Sequence, residues 1–151
     1  MEVRRGYAAV RTRARSAADR LVRSWPAVAQ SVADARREAV DFASRLGATP
    51  AALAAVELAV SEAVTNAVQH AYADRGRHAP GPVTLTVEAA GAGLRVVVAD
   101  EGIGMRPRPE SSGLGLGLPL IAQITHSFEV RQPQGGGTVL AMRFDLQRGH
   151  L

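Results

Sequence analysis

Apolar residues recur at helical spacing in two long stretches of the chain. Val32, Ala35, Ala39, Phe42, Ala43 and Leu46 share one face, and Gly47 follows as a stop signal, which predicts an amphipathic helix. Thr49-Pro50 then reads as an N-cap with proline at the first helical position, and apolar residues at 53, 56, 60, 63, 64, 67 and 71 carry a second helix to about Tyr72. Beyond it the period changes from 3.6 to 2. Val83, Leu85 and Val87 alternate with Thr84, Thr86 and Glu88, and after the turn Ala90-Gly-Ala-Gly93 the run Leu94-Arg-Val-Val-Val-Ala99 returns, so this is a β-hairpin whose second strand is the more buried. A third helix is expected from about Leu114 to Thr125, and a closing hairpin from Phe128–Gln132 and Thr138–Leu146 around Gly135-Gly-Gly137.

Between these elements, Ser24-Trp-Pro26 reads as a short edge strand or a turn, Asp74 to Pro82 as a loop, and Met105 to Ser112 as an irregular loop with two prolines and two arginines. The element order has no regular βαβ alternation. It predicts an α+β fold, a two-layer α/β sandwich with helices on one face of a mostly antiparallel, mixed sheet.

The 151 residues suffice for one domain with its own core. There is no cysteine, which excludes disulfides, thiolate metal sites and a cysteine nucleophile. All 18 basic residues are arginine, so a P-loop lysine, a Schiff base and a lysine general base are excluded too. Seven arginines (4, 5, 11, 13, 15, 20 and 23) lie in the first 25 residues against Glu2 and Asp19, leaving eleven arginines against twelve acids elsewhere. The basic character therefore belongs to a leader, residues 1–23, ahead of a nearly neutral domain, residues 24–151. Val10, Ala14, Ala17 and Leu21 give that leader a near-helical spacing, and a solvated helix is the expectation over a nucleic-acid or lipid-binding arm. With no apolar run read as a membrane span or signal core, a soluble cytoplasmic protein is expected.

Three blocks carry candidate chemistry. On the second helix Glu62 and Asn66 stand one turn apart in a polar stripe with Gln69 and His70. Taken alone, the stripe is also what the solvated side of any amphipathic helix looks like. An Asn carbonyl oxygen is a neutral hard ligand suited to Mg²⁺, and a neighbouring Glu can deprotonate a hydroxyl that attacks a γ-phosphate. Asp100 ends a buried strand ahead of Gly102 and Gly104, where an acceptor-only carboxylate would select a donating group such as the adenine amino group. Gly113, Gly115 and Gly117 lead into an apolar helix, an arrangement that offers backbone N–H groups to phosphates. The spacing is not Gly-x-Gly-x-x-Gly, which disfavours a dinucleotide fold. His70, His78 and His126 lack metal-ligand spacing, and Ser61 and Ser112 lack a His and Asp arrangement.

In this order the blocks resemble the histidine-kinase-like ATPase (GHKL, Bergerat-fold) superfamily, over residues from about 24 to 146. Glu62-x-x-x-Asn66 is similar to its N-box, Asp100-x-Gly102-x-Gly104 to its G1 box, Gly113-x-Gly115-Leu-Gly117-Leu to its G2 box, and Gly136-Gly-Thr138 to a glycine-Thr element near the last strand. Within the superfamily the phrase Ser61-Glu-Ala-Val-Thr-Asn-Ala-Val-Gln-His-Ala-Tyr72 most resembles the small bacterial anti-sigma factor serine kinases. The resemblance implies a partner switch: an ATP-dependent serine/threonine-protein kinase that sequesters a sigma factor and phosphorylates a STAS-type anti-anti-sigma antagonist, in a group whose members commonly form homodimers. It implies Asn66 as the Mg²⁺ ligand, Glu62 as general base and Asp100 as partner of the adenine amino group. Gly102, Gly104, Met105, Gly113, Leu114, Gly115, Leu116, Gly117 and Thr138 would shape the ATP pocket and its lid. The chain departs from the pattern in a short lid between Met105 and Gly113, without a basic residue beside the G2 glycines; Arg106 and Arg108 are the nearest cations. An ATP-gated binding adaptor with little or no kinase activity is the alternative. Neither membrane nor nucleic acid is an expected partner.

Overall fold

Alternation along the strands decides which face of the sheet the helices cover. A computed structural model describes residues 19–75, 79–104 and 117–148. Five strands, β1 (Arg20–Pro26), β2 (Pro82–Ala90), β3 (Gly93–Asp100), β4 (Ser127–Arg131) and β5 (Thr138–Asp145), form one sheet in the order β1-β2-β3-β5-β4. All four ladders are antiparallel. Leu85 pairs with Val98 and Val98 with Leu140, while Val87, Val96 and Met142 form the next row, and every one of these side chains is buried. The alternate positions, including Thr84, Thr86, Val97 and Ala141, are only half-buried. One face is thus packed and the other is not, giving the expected α+β two-layer architecture with a sheet that is antiparallel throughout.

Helices α1 (Ala29–Arg45) and α2 (Pro50–Asn66) pack against each other over the covered face, with α3 (Gly117–Ile124) beside α2. Ala35, Ala39, Phe42 and Ala43 of α1 are buried, as are Ala52, Ala55, Val56, Ala59, Val60, Ala63 and Val64 of α2. Small residues on both helices let the backbones approach closely. Gly47, at φ +81°, ends α1: its N–H bonds Ser44 O and the Ala48 N–H bonds Ala43 O, the paired bonds of a Schellman cap that needs a left-handed residue. Two residues on, Thr49 Oγ1 accepts the Ala52 N–H at 3.2 Å and starts α2 ahead of Pro50.

Two boundaries differ from the sequence expectation. Strand β1 starts at Arg20, inside the stretch read as a basic leader, so Arg20–Arg23 belong to the sheet and not to a helix. Leu21 and Trp25 face the packed side opposite Val87 and Val83, a period of two that the flanking arginines conceal. Arg20 reaches Glu88 at 3.7 Å and Arg23 reaches Glu38 at 3.8 Å. The remainder of the leader, residues 1–18, lies outside the described residues. The second helix does run to the neighbourhood of Tyr72, but from Ala67 to Ala71 it is a π-helical turn. By length and mean hydropathy the whole stretch Pro50–Ala71, 22 residues at 1.4, passes as a membrane span; here its apolar residues are the core of the domain.

Candidate functional site

The Glu62 and Asn66 side chains emerge half-buried from α2, four residues apart and therefore on one side of it. They face the first residue of α3. A Cβ built on Gly117 would stand 3.2 Å from Asn66 Nδ2, 3.5 Å from Asn66 Oδ1 and 3.4 Å from Glu62 Oε2. The absence of a side chain at 117 keeps a gap between the carboxylate, the amide and the helix N-terminus, where backbone N–H groups lack intrahelical partners. Among the described residues, no hydrogen bond or ion pair engages either side chain, so both remain available to a ligand.

Asp100 ends β3 opposite Thr138 of β5. Its carboxylate accepts the Gly102 N–H at 3.0 Å and the Thr138 N–H. Burial pushes the Asp100 carboxyl above its ordinary value, and these two N–H bonds pull against that shift. The turn after Asp100 is held at unusually short range. A Cβ on Gly102 would stand 1.9 Å from the Ala71 carbonyl oxygen at the end of the π turn, which also accepts the Ile103 N–H at 2.9 Å. On the opposite side Gly137 donates its N–H to Gly102 O at 2.8 Å. Gly104, at φ +80°, closes the turn beside Gln132: its Cβ would stand 3.2 Å from Gln132 Oε1.

The structure thus brings together Glu62, Asn66 and Gly117 as one group, and Asp100, Gly102, Gly104 and Thr138 as another. Both are attached to the same helix end. Gln69 and His70, placed by the sequence on the polar stripe, sit on the π turn and are exposed. Met105, Gly113, Leu114, Gly115 and Leu116, with Arg106, Arg108 and His78, lie outside the described residues. Sequence reasoning overlooked Tyr72, whose buried hydroxyl accepts the Glu101 N–H at 2.8 Å and donates to Pro82 O. Its signal was a tyrosine at a helix end with a Gly-Pro pair, Gly81-Pro82, shortly downstream.

A helix-borne amide and carboxylate, a glycine-cleared helix entry and a semi-buried carboxylate in a glycine turn fit a nucleotide triphosphate with its divalent ion. The family model of the histidine kinase-like ATPase domain matches residues 25–144, most of the chain. The chain belongs to the histidine kinase-like ATPase family. The match starts within β1 and ends within β5, so it takes in every residue of both groups. The fold is similar to that in the crystal structure of the RsbU and RsbW domains of Rv1364c from Mycobacterium tuberculosis, with a TM-score of 0.64 and 24% identity over 85% of this chain. The aligned part is 33% of that longer chain. No curated protein matches the sequence.

Proposed function

We propose that this chain is an ATP-binding serine kinase of the anti-sigma type, which sequesters a sigma factor and phosphorylates a STAS-type anti-anti-sigma protein. The observation that carries the reading is the convergence of Glu62, Asn66 and Gly117. The family membership and the fold likeness to a structure containing an RsbW domain support it. Bound ATP with Mg²⁺ would supply the transferable phosphoryl group and neutralise its charge. The Asn66 amide oxygen would hold the ion, and the entry to α3 at Gly117 would offer N–H donors to phosphate oxygens. Asp100, with lone pairs left after its two backbone bonds, accepts from the adenine amino group. Glu62, one turn before Asn66, would take the proton of an incoming serine hydroxyl as its oxygen bonds to the γ-phosphorus and the bond from that phosphorus to the β–γ bridging oxygen breaks, releasing ADP. Gly104 and Thr138 border the base, and Met105, Gly113, Leu114, Gly115 and Leu116 belong to the lid sequence. The setting is cytoplasmic, and a homodimer is the working assembly.

A second reading is favoured by one feature: the chain has no lysine, and between Met105 and Gly113 the only cations are Arg106 and Arg108. An ATP-gated adaptor would need the binding groups and not the base. Incubation with γ-labelled ATP, Mg²⁺ and a STAS-type antagonist separates the two. Phosphoserine on the antagonist, lost in Glu62→Ala with ATP binding retained, supports the kinase; tight ATP binding with no phosphoserine supports the adaptor.

A further inference from the structure

The Tyr72 hydroxyl joins three parts of the fold at one oxygen. Tyr72 follows the helix that carries Glu62 and Asn66, and its hydroxyl donates to Pro82 O at the start of β2 and receives the Glu101 N–H one residue after Asp100. The ring is held in place from the other side as well. A Cβ on Gly81 would stand 2.2 Å from Tyr72 Cε1, so only glycine lets the ring lie there, and Gly81 O in turn accepts the Ala27 N–H at 2.9 Å. Ala71 O grips the Ile103 N–H at 2.9 Å. Two consecutive residues of the helix end therefore hold the amides of Glu101 and Ile103, and between them lies Gly102, whose own N–H bonds the Asp100 carboxylate. The intervening π turn sets this up: one extra residue per turn rotates everything after Asn66 relative to an α-helix.

We infer that Tyr72 is a positioning residue for base selection: its hydroxyl fixes the Glu101 amide and thereby aims the Asp100 carboxylate. This rests on the proposal that Asp100 accepts from the adenine amino group. Removing the hydroxyl keeps the ring and its packing but frees the turn, so the cost falls on nucleotides that need the carboxylate aimed. Inosine triphosphate, with a carbonyl in place of the 6-amino group, does not need it.

The test is the ratio of ATP to ITP affinity, measured by calorimetry on the full chain for the parent, Asp100→Asn and Tyr72→Phe. Tyr72→Phe is expected to weaken ATP by about tenfold, the equivalent of a lost hydrogen bond to a charged group, with ITP changed less than about twofold. A second variant, Gly81→Ala, displaces the ring while retaining the hydroxyl and is expected to lower the ratio in the same direction. Faster amide exchange at Glu101 in Tyr72→Phe would add direct support. An unchanged ratio in Tyr72→Phe, whatever its melting temperature, overturns the inference while leaving Asp100 in place if Asp100→Asn has lost the discrimination. If Asp100→Asn keeps the discrimination, the Asp100 reading falls and the role of Tyr72 falls with it.

Discussion

Asp100 at the end of β3 and Gly137 just before β5 meet at a distance that admits no side chain: a Cβ on Gly137 would stand 2.2 Å from the Asp100 carbonyl oxygen. Gly137 also sits at φ +87°, so alanine would add backbone strain to the overlap. Gly137→Ala is expected to destabilise the fold by about 2–4 kcal/mol. Gly135→Ala, with nothing within 4 Å of the new Cβ, is the control. Denaturant titrations of the pair should differ by most of that amount.

Gly117→Ala should separate binding from stability. Alanine at the start of a helix is favoured by propensity, whereas here its methyl would crowd Asn66 at 3.2 Å and Glu62 at 3.4 Å. We expect an unchanged or slightly higher melting temperature together with an ATP affinity reduced by about tenfold. Parallel calorimetry and thermal unfolding check this, and equal affinity for parent and variant would remove Gly117 from the site.

Asp100 gives stability a pH dependence of unusual sign for a carboxylate. Burial raises its folded-state value above 3.8, so the folded protein keeps this proton at a pH where the unfolded chain has released it. Its contribution therefore falls as pH rises from the ordinary value through the raised one, and is constant beyond. Relative to Asp100→Asn, the parent should lose stability across that window in denaturant unfolding at stepped pH. On the proposal that Asp100 accepts from the adenine amino group, ATP affinity should rise over the same window, because the ionised carboxylate is the stronger acceptor.

Truncation tests where the domain begins. Removing residues 1–23 deletes Arg20 to Arg23, whose pairing covers Glu88, Val87, Thr86 and Leu85 of β2. A chain lacking 1–23 should melt at a lower temperature than one lacking 1–18, with the difference caused by the lost ladder and the uncovered edge. Equal melting temperatures would show that the first half of β1 contributes nothing.

The sequence showed most where physical periods are long and uninterrupted. Val32 to Leu46 and the Val83–Ala99 hairpin were legible from spacing alone, because a buried face imposes its period on every residue. Strand β1 was legible only in its last three residues, Ser24–Pro26, read as an edge strand or a turn; its first half was hidden because Arg20, Val22 and Arg23 are exposed and only Leu21 and Trp25 keep the alternation. Glu62 and Asn66 were legible as neighbours, yet nothing local reveals that Gly117, fifty residues on in the chain, completes their surroundings. Tyr72 escaped for a related reason. Its partners, Glu101 and Pro82, are backbone groups, and backbone partners leave no trace in the residue types that supply them.

The buried alanines of α1 and α2 tie the geometry of the candidate site to the room for change in the helix layer. Ala35, Ala39 and Ala43 on one helix and Ala52, Ala55, Ala59 and Ala63 on the other are all at most 4% exposed. A larger side chain at any of them must displace what packs on it, and α2 carries Glu62 and Asn66 toward Gly117 of α3. Volume gained in the helix layer is then displacement at Gly117. Selection for an intact site would hold this layer to small residues, and change in core size would be channelled into the sheet side, around Leu85, Val96 and Met142.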